Sequence, residues 1–93
     1  MRHKEVNFRI KTDWVVEERG TTLCRPGLGA VCSIGYPYAV IWDCVTRGHG
    51  EEKTLRMFAA VARMDKASAA PLLRRCLEEW ENAGFISRES GDA

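Results

Sequence analysis

The chain has 93 residues, 45% of them hydrophobic, which suits one domain over residues 1–93 with a single modest core across about residues 8–86 and no room for a second. Its 14 Lys plus Arg nearly balance 13 Asp plus Glu, so no strong net field draws the whole molecule toward nucleic acid or an anionic membrane. No apolar run approaches the ~20 residues that span a bilayer, and residues 1–12, which carry Arg2, Lys4, Glu5, Arg9 and Lys11, lack the apolar stretch of a secretory signal. A cytoplasmic protein without a membrane partner is expected, with a loose N-terminal segment.

The first regular elements read as strands. Trp14, Val15 and Val16 form a short β-prone run, and Thr21 to Arg25 a second. The Arg19-Gly20 pair between them suits a two-residue hairpin loop, because glycine accepts the positive φ of such turns. Pro26-Gly27-Leu28-Gly29 is a second turn signal, and Ala30, Val31, Cys32, Ser33 and Ile34 follow as a third strand at one edge of a meander.

After Gly35 the period lengthens. Pro37 pre-sets a first helical turn, Val40, Ile41, Cys44 and Val45 make an apolar stripe flanked by Trp42, and Gly48 stops the helix. Glu51 and Glu52 suit the positive end of a second helix, whose face is Leu55, Phe58, Val61 and Ala62 and which ends near Met64. For the third helix Ser68 is the expected N-cap and Pro71 falls in the first turn. Leu73, Cys76, Leu77 and Trp80 share its inner face, Gly84 fits the left-handed position past its end, and Phe85 then meets Trp80. Ser87 to Ala93 reads as a frayed polar tail. Trp42, Trp80, Phe58 and Phe85 are assigned to the core, and Trp14 to either core or surface.

Cys24, Cys32, Cys44 and Cys76 are widely spaced with no C-x-x-C pair, so they read as buried free thiols rather than as a zinc or redox motif. Nor do they have the compact spacing of an iron–sulfur site. His3 and His49 have no nucleophile or carboxylate at a spacing that suggests a triad, so no catalytic residue, metal or cofactor is expected.

Taken in order, Trp14-Val15-Val16-Glu17-Glu18-Arg19-Gly20, the Pro26-Gly27 turn, Ala39-Val40-Ile41-Trp42 and the run from Cys76 to Ile86, with its Leu-x-x-aromatic-x-x-x-Gly-Phe-Ile close, resemble the PqqD-like family, also called the RiPP recognition element. The resemblance spans about Phe8 to Ile86. Where members of that family carry a Leu-Asn pair entering the first helix, this chain has Ile34-Gly35 followed by Tyr36-Pro37. The resemblance implies an α+β, winged-helix-like fold in which a three-stranded antiparallel sheet is followed by a three-helix bundle. It also implies a non-catalytic role: capturing the leader of a ribosomally synthesised precursor peptide as a strand added to the third strand, beside the third helix. The bound peptide would be presented to a modifying enzyme encoded nearby, a radical SAM or ATP-dependent enzyme being the expected kind.

The residues suit strand addition. Ala30, Val31, Cys32, Ser33 and Ile34 carry no charge and no proline, the devices that usually protect an edge, so something must cover or bind this strand. Leu72, Arg75, Cys76 and Glu79 on the third helix are the flanking candidates. Arg75 either pairs with an acidic leader residue or makes an i, i+4 pair with Glu79. Leu72 is either half-buried core or the floor of a leader pocket. A winged-helix DNA-binding domain is the alternative, but from Ser68 to Ala83 the third helix sets Arg74 and Arg75 against Glu78, Glu79 and Glu81, a poor match to phosphates. A homodimer whose sheet edges pair is a third reading, compatible with the first.

Overall fold

In the computed structural model, which describes residues 7–25, 27 and 29–89, the chain runs through β1 (Asn7–Ile10), β2 (Asp13–Glu17), β3 (Gly20–Arg25), β4 (Gly29–Gly35), α1 (Tyr38–Thr46), α2 (Glu51–Ala62), α3 (Lys66–Asn82) and β5 (Ile86–Glu89). The architecture is α+β. The expected meander is present as an antiparallel sheet in the order β2-β3-β4, and the three helices follow it.

Two details of the meander differ from expectation. The register runs from Asp13↔Cys24 to Glu17↔Gly20, so Glu18 and Arg19 form the loop and Gly20 opens β3. Glycine serves there because a Cβ would fall on the carbonyl oxygen of Ile34 across the sheet. Between β3 and β4 the pairing jumps from Leu23↔Cys32 to Cys24↔Ala30, which makes Val31 the extra residue of a bulge. Of the second turn, Pro26 and Leu28 lie outside the described residues; Gly27 and Gly29 adopt φ of 83° and 74°, which glycine tolerates.

The helices bury their stripes against the inner face of the sheet, on Leu23 and Ile34. Trp42 sits at the centre, 1% exposed, with its ring edge-to-face with Trp14 at 5.8 Å and with Trp80 at 5.2 Å. Trp14 therefore has both of its expected fates: it touches the core and remains partly open. On α2 the buried residues are Thr54, Phe58 and Ala59, with Leu55 and Ala62 packed beside them. Val61 is 50% exposed, a correction, because that side of α2 turns away from both neighbouring helices. The helix stops at Arg63, whose backbone is left-handed (φ 59°), while the Met64 amide donates to the Ala59 carbonyl.

α3 starts earlier than Ser68. Asp65 is the cap, accepting the Ser68 amide at 2.8 Å, so Ser68 lies within the first turn and Pro71 inside the helix rather than near its start. Asp is as good a cap as Ser, and the earlier one adds a turn. The far end is as expected: Gly84 (φ 85°) donates to Glu81 at 3.1 Å and Phe85 to Trp80 at 2.9 Å, the paired bonds of a Schellman motif. The Arg25 guanidinium adds a bond to the Ala83 carbonyl at 3.1 Å and lies 5.7 Å from the centre of the Phe85 ring, tying β3 to the helix end.

The chain ends overturn one expectation. β1 and β5 pair antiparallel from Asn7↔Glu89 to Ile10↔Ile86, so the start of the tail, Ser87 to Glu89, is a strand and not frayed. Ile86 is fully buried, Phe8 and Ile10 pack on the core, and Arg88 lies 5.3 Å from the centre of the Phe8 ring. Residues 1–6 and 90–93, including His3, lie outside the described residues. Among the described residues no helix is long and apolar enough to cross a membrane.

Candidate functional site: a groove between β4 and α3

Among the described residues β4 pairs only with β3, so its other side is an open edge. That edge flanks a groove of about 410 Å³ whose far wall is α3. Helical spacing brings Leu72, Arg75, Cys76 and Glu79 to one face of α3, and strand alternation sets Cys32 and Ile34 on one face of β4. Ile34, Cys76 and Trp80 make a buried apolar floor, Cys32, Leu72 and Tyr38 the walls, and Ser33, Arg75 and Glu79 the polar rim.

The groove thus joins Cys32, Ser33 and Ile34 to Leu72, Arg75, Cys76 and Glu79. Ala30 and Val31 do not line it, because the bulge at Val31 interrupts the strand before the groove begins. Gly35, Tyr38 and Trp80 line it without having been expected to. Trp80, whose helical spacing marks it as core, both packs there and floors the groove. Tyr38 opens α1 with its ring 5.4 Å from Phe58, a placement that needs the helix–strand angle and has no signal in the sequence.

Arg75 and Glu79 form the i, i+4 pair at 3.8 Å, with side chains 76% and 71% exposed. So long and open an ion pair contributes little, and both groups stay available on the rim. Leu72 is half-buried against the core and also lines the groove. α3 also carries Lys66, but that ammonium is held by Glu52 at 2.7 Å and does not make the helix a cationic surface.

Burial, then the nearby Glu79 carboxylate and Cys32, push the Cys76 thiol up to about 12. Burial also raises Cys44. Contrary to expectation, Cys24 and Cys32 are only partly buried. A disulfide reagent at pH 8 should therefore modify Cys24 and Cys32 in the native protein and reach Cys44 and Cys76 only after denaturation, as peptide mapping would read. Stability also follows: an unfolded thiol titrates near 9.0 and folded Cys76 near 12, so stability is full below pH 9 and lost as pH rises across that interval. A Cys76→Ala variant should melt at a lower temperature but show a flatter alkaline decline.

Elsewhere, His49 is half-buried in the α1–α2 loop and lines a smaller cavity of about 160 Å³ with Phe8, Leu77 and Arg88. Among the described residues no three His, Cys, Asp or Glu side chains are grouped to hold a metal. No protein-family model, curated protein or solved structure matches this chain.

Proposed function

We propose that this is a PqqD-like, winged-helix-like recognition domain that binds the leader of a ribosomally made precursor peptide as a strand added to β4, and holds it for a separate modifying enzyme. The observation that carries the reading is the open edge of β4 facing a groove with an apolar floor. An edge strand offers unpaired N–H and C=O groups to any extended guest, and side-chain pockets beside it select among guests.

The bulge limits the pairing. Below it the lining stretch is residues 32–35, about 14 Å of strand at 3.4 Å per residue, too short for backbone bonds alone to give tight binding. Affinity then depends on guest side chains entering at alternate positions, between Ile34 and Cys32 on one side and Leu72 and Cys76 on the other. The chemistry on the peptide belongs to the partner enzyme.

The test is an NMR titration with the synthetic leader of the precursor encoded beside this gene. Shifts should concentrate at residues 32–35 and 72–79, with micromolar affinity or better, about −8 kcal/mol. Leu72→Glu puts a charge into the apolar wall and should weaken the leader at least about tenfold, about 1.4 kcal/mol, with the spectrum of the free domain otherwise retained. If the leader leaves those amides still while duplex DNA moves Arg74 and Arg75, the domain is a DNA-binding one instead.

A further inference from the structure

The sheet has a second open edge. β2 pairs only with β3 among the described residues, in a regular register with no bulge, glycine or proline. Its apolar run is the most exposed of the sheet: Trp14 39%, Val15 52% and Val16 68%. A regular strand of aromatic and β-branched residues with a free ladder is a template for another chain.

Charge decides which chain. A second copy pairing antiparallel about Val15 would bury the whole apolar run. That register sets Asp13 against Glu17, and symmetry doubles the clash. Centring on Val16 puts Val15 opposite Glu17, while centring on Trp14 puts Val15 opposite Asp13. Each slipped register sets apolar residues against charged or polar ones. The flanking charges therefore act against self-pairing, as edge charges commonly do.

They are also a specification. We infer that β2 is a docking edge for a strand of a different protein, one whose short apolar run is bounded on both sides by lysine or arginine, so that cations stand opposite Asp13 and Glu17. Because β2 and β4 are opposite edges of one sheet, such a partner leaves the α3 groove open. The inference does not depend on what the groove binds.

The probe is a designed β-hairpin peptide whose open edge reads Lys-Val-Thr-Val-Lys, compared with the same hairpin carrying Glu in place of both lysines. NMR titration should show the lysine hairpin shifting the amides of Asp13–Glu17, with affinity about tenfold above that of the glutamate hairpin. Asp13→Lys with Glu17→Lys should reverse the preference. Asp13→Lys alone, which spares the Glu17 bond to Thr22, should reduce it. Equal binding of the two hairpins, binding of neither, or a concentration-dependent dimer in sedimentation with β2 amides protected from exchange would each overturn the inference. Failure of the leader titration would appear at β4 and leave the β2 result standing.

Discussion

Replacing Trp42 with alanine is expected to cost about 3–5 kcal/mol, the usual loss for truncating a buried aromatic ring. Total stability for a domain of this size is on the order of 5–14 kcal/mol, so this one change removes a large part of it. A drop in melting temperature of about 12–40 °C should follow at ~4–8 °C per kcal/mol, read by far-UV circular dichroism. The size of the effect comes from position. Trp42 holds edge-to-face contacts with Trp14 on the sheet and Trp80 on α3, so its ring joins the two layers. Trp42→Phe should cost much less, about 1–2 kcal/mol. Phenylalanine keeps much of the volume and deletes the indole N–H, which is buried without a hydrogen-bond partner. A shift of only a few degrees in the alanine variant would mean that Trp14 and Trp80 close over the gap, and the bridging role would be refuted.

The second large effect is expected at Gly20. Its added Cβ in Gly20→Ala meets the Ile34 carbonyl oxygen and then the backbone of Gly35. Backbone cannot rotate away as a side-chain tip can, so β3 and β4 must part at the Gly20↔Gly35 pair. A cost of about 3 kcal/mol, the upper end for overpacking, is expected in urea denaturation. The same displacement moves Ile34 and Gly35 at one end of the groove, so their amides should shift in the free variant, and under the proposed function leader affinity should fall. Gly48→Ala is the control: it has open space around it and only an unfavourable φ of 75°, so about 1 kcal/mol is expected. Equal costs at the two positions would show that the close approach to Ile34 is not what demands glycine at Gly20.

The parts of this fold that were legible are those whose signal is local. The β-prone run of Thr21 to Arg25, the apolar stripe of Val40, Ile41, Cys44 and Val45, and Gly84 at a helix end each depend on a few neighbouring residues, and each stands close to where the pattern put it. The β1–β5 ribbon was not legible. Asn7-Phe8-Arg9-Ile10 and Ile86-Ser87-Arg88-Glu89 are four-residue alternations too short to register alone, and each is a strand only because the other, far along the chain, pairs with it. The α3 cap has a different reason: Asp65 and Ser68 are both competent caps, and the extra turn that Asp65 begins is anchored by the bond between Lys66 and Glu52, which lies across the fold. The groove was half legible. Helical spacing places Leu72, Arg75, Cys76 and Glu79 on one face, whereas the bulge that excludes Ala30 and Val31 is a property of the pairing between two strands and is invisible in either.

The β1–β5 ribbon also fixes how the domain answers to force. Asn7 and Glu89 stand opposite one another at the outer end of an antiparallel pair, so tension applied through the flanking chain peels the ribbon open one residue pair at a time instead of loading all its bonds at once. Peeling meets resistance at Phe8↔Arg88, where Phe8 packs on the core, and its firmest obstacle at Ile10↔Ile86, where Ile86 is locked into the core. A pull on the two ends is therefore absorbed at the rim by a short, reclosable zipper, while β4, α3 and the groove between them keep their shape until that last pair gives way.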